Sequence, residues 1–305
     1  MTMTLNQKIT SPGIYQLTAD EYHADPVAGG SLSSTGARKL LDPSCPALFK
    51  HWRDNPEEHK PHYDFGQAAH AHLLGIGRPI HVIDAGDYKK KAAQEERDEA
   101  YAANEIPLLS EQWETVDAMV AQLRAHPVAN ALFDPENGAP EQTIVWRDRR
   151  TGVACRAMLD WTPNRGNGRL IVPDYKTTAR AVDPRSLEKT LAEHGLHQQG
   201  AWNLDAVQAA GLTGDLDPAF LLVFQSKVAP FLVNVVQIDP HALMWGDLLN
   251  QEARATYAHC TRTGRWPGYE HVTSIDLPRY TVRQLEDAQE AGDLTRYSDR
   301  KQAAA

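Results

Sequence analysis

Three short apolar segments in the middle of the 305-residue chain constrain its fold most strongly. Residues 142–146, 153–161 and 169–176 are rich in β-branched and aromatic side chains, and polar loops separate them. Such runs predict three strands, of which the first two form a hairpin. Two helical segments, two further apolar runs and a long helical segment follow. This order predicts a mixed α/β (α+β) domain, with a central mixed sheet flanked by helices.

The first third of the chain is predicted to be helical. Thr18 and Glu21 have the spacing of a capping box, and Ser34 is placed to cap the next helix. Small and apolar side chains alternate with helical spacing over 65–74 and stop before Gly75, a helix-ending residue. We therefore expect a helical section ahead of the sheet.

The predicted organisation is a single domain with short extensions. The domain spans 12–267, with its helical section over about 12–135 and its sheet over about 140–240. Residues 1–11 are expected to be flexible, and 268–305 to form a partly flexible C-terminal extension.

Composition excludes several classes of protein. Hydrophobic residues make up 42% and charged residues 23%, which is typical of a globular chain. No run of about 18 apolar residues occurs, so no membrane-spanning helix is expected. The first ten residues lack signal-peptide features, so a cytoplasmic protein is expected. Three widely spaced cysteines without a CxxC pair favour reduced, buried thiols: Cys45, Cys155 and Cys260. A net charge of −9 does not favour nucleic-acid binding overall, although a local basic groove remains compatible with it.

Acidic and basic side chains meet at the ends of two predicted strands. Asp174 and Lys176 are two residues apart on one strand and therefore share a face. Asp160 ends the preceding strand, and a hairpin-like pairing would bring it beside them. Two carboxylates form an oxygen site that suits Mg²⁺ or Mn²⁺, and a lysine there could orient a water or offset phosphate charge. A D-x-K pattern alone is more often a surface ion pair.

Two helices could contribute further groups. His70 lies on the predicted helix before the sheet, where small neighbours allow close packing, so its imidazole could be a metal ligand. His72 lies on roughly the opposite side and is the weaker candidate. Gln199 opens the helix after D-x-K and could hold a phosphate or a water, whereas Trp202 could stack on a base or fill the core.

Together these motifs resemble the PD-(D/E)xK nuclease superfamily and, more narrowly, the exodeoxyribonuclease VIII (RecE-type) nuclease domain of phages and prophages. The resemblance covers about 12–265, and the order and spacing of the motifs carry it. The matching segments are Ser31-Leu-Ser33-Ser34 with Ser44-Cys-Pro46, Gly66-x-x-x-His70, Cys155-Arg156-Ala157 with Asp160-Trp161, and Asp174-Tyr-Lys176-Thr-Thr.

The resemblance implies a Mg²⁺-dependent (or Mn²⁺-dependent) exonuclease that degrades linear duplex DNA from its ends and feeds single-strand annealing recombination. It implies an annealing protein as a partner, a phage or prophage gene in a bacterial host, and in many members a homo-oligomeric ring. It also implies site roles: His70, Asp160, Asp174 and the Tyr175 carbonyl as metal ligands, Lys176 for the attacking water, and Gln199 for the DNA backbone or the water.

Some positions depart from the family pattern. Its Gln-x-x-x-Tyr motif has Asn203 in place of the tyrosine, with Trp202 one residue earlier, and Met158 replaces a frequent arginine. Two alternatives therefore stay open: a single-strand or flap endonuclease, and a catalytically degenerate module that binds DNA or a partner. Six arginines near the motif strands are candidates for a basic channel: Arg147, Arg149, Arg150, Arg156, Arg180 and Arg185.

Overall fold

A computed structural model of the chain describes residues 8–56, 59–166 and 168–294. The strands are β1 (Gly13–Gln16), β2 (Leu32–Ser33), β3 (Ile80–Ile83), β4 (Ile106–Leu109), β5 (Gly138–Arg147), β6 (Ala154–Pro163), β7 (Ile171–Thr178), β8 (Ala219–Ser226) and β9 (Val233–Gln237). The helices are α1 (Ala19–His23), α2 (Ser34–Leu40), α3 (Pro46–Asp54), α4 (Asp64–Leu74), α5 (Lys91–Ala102), α6 (Ser110–Ala125), α7 (Pro127–Leu132), α8 (Pro184–Glu193), α9 (Leu196–Ala209), α10 (Pro240–Thr263) and α11 (Arg279–Glu290).

The strands form three hydrogen-bonded groups. One has the order β1-β5-β6-β2, another the order β7-β8-β9, and β3 pairs with β4 alone. The β7-β8 and β3-β4 pairs are parallel, whereas β5-β6 and β8-β9 are antiparallel. The predicted class is therefore confirmed: a mixed α/β fold with mixed strand pairing flanked by helices.

The predicted hairpin is β5-β6, and the side chain of Asp148 stabilises its turn. Its Oδ2 accepts hydrogen bonds from the Thr151 backbone N–H at 2.8 Å and from the Thr151 hydroxyl at 2.6 Å. Arg147 pairs with Ala154 at the turn end of the ladder. β5 begins at Gly138, four residues before the predicted start, and this longer strand adds a residue to the site.

The strands β6 and β7 do not pair as the sequence predicts. Within these two described strands no backbone ladder forms, and β7 pairs with β8 instead. The two strand groups therefore diverge between β6 and β7. A sequence pattern shows where strands begin and end, but a parallel partner from far along the chain can replace the neighbouring strand. Asp160 still reaches β7, through its side chain.

Apolar layers cover both faces of β7 and β8. Val172 and Leu222 face a layer that includes Trp202 of α9. Tyr175 and Val223 face the opposite layer, which contains the small residues of α4. Alternation along each strand produces these two layers, and their burial fixes the register that orients Asp174 and Lys176.

Helix ends follow the sequence closely, with one correction. Thr18 and Glu21 form the predicted capping box of α1, and α4 ends at Gly75, which has φ +69°. The cap of α2 is Ser33, whose hydroxyl accepts from the Gly36 N–H at 3.2 Å, whereas Ser34 is the first helical residue. By residue type, Ser33 and Ser34 are equally suitable N-caps. Because Ser33 is extended where β2 pairs with β6, the helix begins after it.

Two compact units divide the chain at Gly268. In the first unit, Ile9 is buried and bridges to Val27, although it lies in the segment expected to be flexible. In the second unit, Arg279–Glu290 forms α11 where the sequence suggests a frayed tail, because residues such as Arg283, Leu285 and Glu286 favour helix. The remaining parts of the expected flexible ends, 1–7 and 295–305, lie outside the described residues. Among the described helices, none is both long and apolar enough to cross a membrane.

Candidate active site

Asp174 and Lys176 form the centre of the candidate site on β7. Both side chains lie on the same face of the strand, as the sequence predicts, and Lys176 Nζ forms an ion pair with Asp174 Oδ2. Asp174 is 2% exposed. Apart from this ammonium, Asp174 Oδ2 has no hydrogen-bond partner in the described part of the chain. The carboxylate of D-x-K is therefore buried and its lysine half-buried, unlike the surface ion pair that such a pattern more often forms.

Asp160 joins the site through the gap between the diverging strands. Its Oδ2 accepts a hydrogen bond from the Tyr175 backbone N–H at 2.7 Å. A backbone donor at the edge of a strand group needs an acceptor, and here a carboxylate takes the place that a neighbouring strand would fill. The sequence places Asp160 beside Asp174 correctly, but by a different contact.

His70 of α4 completes the group. Its Nδ1 lies 3.7 Å from Asp160 Oδ2, and its ring centroid lies 4.9 Å from that of Tyr175. His72 turns away, as predicted, and its Nε2 lies 2.9 Å from Asp117 Oδ1. The site therefore combines one imidazole with two carboxylates around Tyr175.

Gln199 makes a contact with the site that the sequence analysis does not predict, and its predicted contact with DNA or water stays a prediction. Its Nε2 donates to Asp174 Oδ1 at 2.9 Å, so in this structure it orients the carboxylate. Trp202 is fully buried, and its indole N–H donates to the Arg156 carbonyl at 3.0 Å. Asn203 is 3% exposed. Trp202 therefore fills the core, and neither it nor Asn203 presents a surface to a substrate.

Burial sets the protonation of the site. It lowers the pKa of His70 to about 4, with a further contribution from the Lys176 charge, so the imidazole is neutral at neutral pH. Burial raises the pKa of Asp174 to about 6, opposed by Lys176, and also raises that of Asp160. Burial acts to lower the pKa of Lys176, but Asp174 and Asp160 outweigh it, so the pKa rises. Lys176 is therefore a cation at neutral pH. Keeping the carboxyl groups of Asp174 and Asp160 ionised costs folding free energy.

The donor chemistry of the site fits a hard divalent cation. Two carboxylates, a neutral imidazole and the neighbouring Tyr175 carbonyl are ligands that Mg²⁺ and Mn²⁺ accept. The buried Asp174 Oδ2 has the Lys176 ammonium as its partner and no other in the described residues, so it retains a lone pair for such an ion. In 8–56, 59–166 and 168–294, however, no three His, Cys, Asp or Glu side chains converge closely enough to hold a metal ion. The residue types thus fit a divalent metal ion, but their side chains do not converge on one position.

Two residues beside the site escaped the sequence analysis. Glu141 lies on β5 between the paired positions Pro140 and Gln142, opposite Asp160, with φ +46°. Burial raises its pKa to about 7, with the Asp160 charge contributing. Extending the predicted strand by four residues would have placed Glu141 there. Arg38 of α2 interacts electrostatically with Asp174, and no local sequence signal marks it.

Five of the six arginines predicted to form a basic channel are exposed, and Arg156 is buried. Arg156 is 7% exposed and pairs with Asp25, its Nη1 lying 3.0 Å from Asp25 Oδ1, so it ties the N-terminal segment to β6. Arg180 is exposed but forms an ion pair with Glu193. The others are exposed: Arg147, Arg149, Arg150 and Arg185.

Comparison with known proteins agrees with this fold. A mixed sheet flanked by helices, with two carboxylates and a lysine brought together on neighbouring strands, is compatible with the PDDEXK-like class. The chain belongs to the family described as PDDEXK-like domain of unknown function (DUF3799), whose model matches residues 33–278. A search of curated proteins found no match.

A solved structure shows the same fold. A crystal structure described as that of a candidate exonuclease from Eubacterium rectale aligns with a TM-score of 0.57 at 11% identity. The alignment covers 88% of this chain and 98% of that chain. The structure of SSO0001 aligns over 67% of this chain and 85% of that chain at 12% identity, but its TM-score of 0.28 carries no argument. The first likeness supports the fold alone.

Proposed function

We propose that this protein is a divalent-metal-dependent DNA exonuclease that hydrolyses linear duplex DNA from its ends. The observation that carries the proposal is the buried Asp174–Lys176 pair beside Asp160 and His70. Burial of carboxylates at raised pKa is costly for folding, and such costs concentrate at functional sites. The protein from Eubacterium rectale that is described as a candidate exonuclease shares the fold, and its description supports the reaction class by analogy alone.

Each residue has a distinct part in the proposed reaction. Asp160, Asp174, His70 and the Tyr175 carbonyl would hold Mg²⁺ or Mn²⁺. When bound, the ion would polarise the phosphate and the attacking water and stabilise charge on the leaving oxygen. Lys176, a cation throughout neutral pH, would orient that water or offset charge on the phosphate. Gln199 keeps Asp174 oriented through its hydrogen bond to Oδ1.

The resemblance to the RecE-type branch suggests the biological context. There the product of end resection is a single strand, which an annealing protein would receive. We include this partner, the recombination role and a homo-oligomeric ring in the proposal. Size-exclusion chromatography with light scattering tests the ring directly.

The decisive experiment compares a linear duplex labelled at one 5′ end with a closed circular duplex. Each is incubated with the protein and Mg²⁺, with and without EDTA, beside the Lys176→Ala variant. Loss of the linear DNA alone, blocked by EDTA and by the substitution, is expected. Cleavage of the circle or of flap substrates would instead support an endonuclease.

A second candidate function is a binding module without turnover. It is favoured by the absence of a closed set of three ligand side chains in the described residues. Folded protein that binds Mn²⁺ yet leaves every DNA substrate intact would support it and overturn the exonuclease proposal.

A further inference from the structure

Arg38 is a cation beside the site that the proposed chemistry leaves unused. It lies on α2 and is partly buried. Its Nη1 donates to Ser34 Oγ at 2.9 Å, and its Nη2 lies 3.4 Å from Thr35 Oγ1. Within the described ranges no carboxylate forms an ion pair with it. A guanidinium carries five N–H donors, so these two hydroxyls satisfy only part of its capacity.

A glycine positions the stem of Arg38. Gly195 adopts φ +60°, and a Cβ added to it would lie 2.7 Å from Arg38 Cδ. The stem therefore passes directly over the backbone of Gly195, the residue before α9. One turn later, Gln199 donates its backbone N–H to the Gly195 carbonyl at 3.1 Å and its side chain to Asp174. This packing holds Arg38 on the α9 side of Asp174.

Electrostatics agree with this placement. Burial lowers the pKa of Arg38, while the charge of Asp174 opposes that decrease. Arg38 in turn acts to lower the pKa of Lys176, because the two cations repel. Arg38 thus interacts electrostatically with the same carboxylate as Lys176.

The charges of the site call for an anion. This step rests on the proposed function: a divalent cation held by Asp160 and Asp174 would neutralise both carboxylates. Arg38 and Lys176 would then have no counter-charge from these two residues. A phosphodiester supplies that charge, and its oxygens match the planar fork of a guanidinium.

We propose that Arg38, seated over Gly195 and oriented by Ser34, binds a phosphate of the DNA at the bond that is cleaved. The residue contacts substrate directly, and Ser34 and Gly195 position it. Of the paired serines at the start of α2, Ser33 caps the helix and Ser34 orients this arginine.

The test measures DNA binding by fluorescence anisotropy with Ca²⁺ in place of Mg²⁺, so that the carboxylates hold a cation during binding. It uses the full chain and a labelled duplex at several salt concentrations. Arg38→Ala is expected to weaken binding roughly tenfold and to reduce the slope of log affinity against log salt by about 1. Arg38→Lys should keep the slope, because the charge remains, and lose part of the affinity. Ser34→Ala should weaken binding roughly threefold.

Controls separate a substrate contact from a structural role. Arg97→Ala removes a comparably exposed arginine that pairs with Asp98 on α5, and it should leave affinity and slope unchanged. Thermal melts of all variants report folding. Duplexes with a 5′-phosphate and with a 5′-hydroxyl distinguish two sources of phosphate. Equal loss on both duplexes supports contact with a backbone phosphate, as proposed, whereas loss confined to the phosphorylated ends would place the contact on the terminus and overturn the proposal.

The proposal is overturned if Arg38→Ala binds DNA with the same affinity and salt slope as Arg97→Ala, or if the wild-type protein does not bind DNA. Failure of the proposed function has a different signature. In that case wild-type protein binds DNA but leaves linear duplex intact with Mg²⁺ or Mn²⁺, while the Arg38 effect on binding persists.

Discussion

Two buried clusters of charge in this molecule are built in opposite ways. In one, Arg254 of α10 contacts three carboxylates. Its Nη1 lies 2.7 Å from Asp205 Oδ2, its Nε lies 3.5 Å from Asp148 Oδ1, and its Nη2 lies 3.6 Å from Asp247 Oδ1. In the other, Lys176 is paired with Asp174, whose Oδ2 has no further partner in the described structure. The first cluster surrounds one cation with acceptors, and the second leaves acceptors unfilled.

The difference indicates what each cluster is for. The Arg254 guanidinium also lies 5.5 Å from the Trp202 ring centroid, so it joins α10, α9 and the β5-β6 turn. Hydrogen bonds to Thr151, with Arg254 assisting, hold the pKa of Asp148 low despite burial. Asp205 at the same cluster keeps a raised pKa because of burial. A charge network in which most charges have opposite partners stabilises a fold. A network whose carboxylate oxygens lack hydrogen-bond partners is suited to binding a ligand.

The largest effect is expected from Lys176→Ala. Cleavage should fall by about 10³-fold, or about 4 kcal/mol in activation free energy, because the cation that serves the water and phosphate is lost. Folding should persist, since Asp174, with a pKa of about 6, can take up a proton when unpaired. Single-turnover kinetics measure the cleavage rate and a thermal melt measures folding, with Lys189→Ala on the exposed face of α8 as control. Normal cleavage by the variant would remove Lys176 from the site.

Arg254→Ala should show the reverse behaviour. Removing the cation leaves buried carboxylates unpaired, so we expect a loss of about 3 kcal/mol in the free energy of unfolding. Cleavage per folded molecule should change little, because Arg254 contacts no residue of the site. Urea denaturation gives the first quantity and active-site-normalised kinetics the second. A stable Arg254→Ala protein that has lost cleavage would contradict the assignment of a structural role to the Arg254 cluster.

Gln199→Ala tests whether the carboxylate is oriented from α9. Loss of the hydrogen bond to Asp174 Oδ1 should reduce metal-supported cleavage about tenfold, close to 1.4 kcal/mol. A positioning role predicts that higher Mn²⁺ concentration restores part of the rate, and a titration of rate against Mn²⁺ measures this. If the loss instead appears only in KM for DNA, Gln199 contacts the substrate.

Glu141→Gln gives the smallest expected effect, and it depends on pH. The folded-state pKa of about 7 exceeds the ordinary value of 4.5, so ionisation of Glu141 destabilises the metal-free fold as pH rises between these values. The variant should therefore be more stable than wild type by about 1 kcal/mol at pH 8, since solvent screens a partly exposed carboxyl, and equal to it at pH 4.5. Urea melts in EDTA at both pH values measure this, with Glu111→Gln as control. A stability difference between Glu141→Gln and wild type that does not vary with pH would show that ionisation of Glu141 is not its cause.

Much of the site could be predicted because its spacing is local. Asp174 and Lys176 share a face through the two-residue period of a strand, whatever the strand packs against. His70, not His72, faces the site because four of its helical neighbours are small enough for α4 to lie against β7. The contacts of Gln199 and Arg156 were harder to foresee. A side chain that can donate to a phosphate can equally donate to a buried carboxylate or a carbonyl, and only the neighbours decide.

The sequence by itself determined the order of strands and helices from β5 to α10, the hairpin β5-β6, the end of α4 at Gly75 and the placement of Asp174 and Lys176 on one face. These follow from side-chain periodicity and backbone preferences that act over a few residues. The sequence did not show the four short strands β1 to β4, which lie in the section expected to be helical. Tertiary structure alone decided that β7 pairs with β8, so that β6 diverges and Asp160 accepts the hydrogen bond of the Tyr175 N–H, which no strand pairs. It also brought Arg38 and Glu141 to the site and buried Trp202. Those outcomes depend on segments far apart in the chain competing to bury the same surfaces, and no local pattern records which segment prevails.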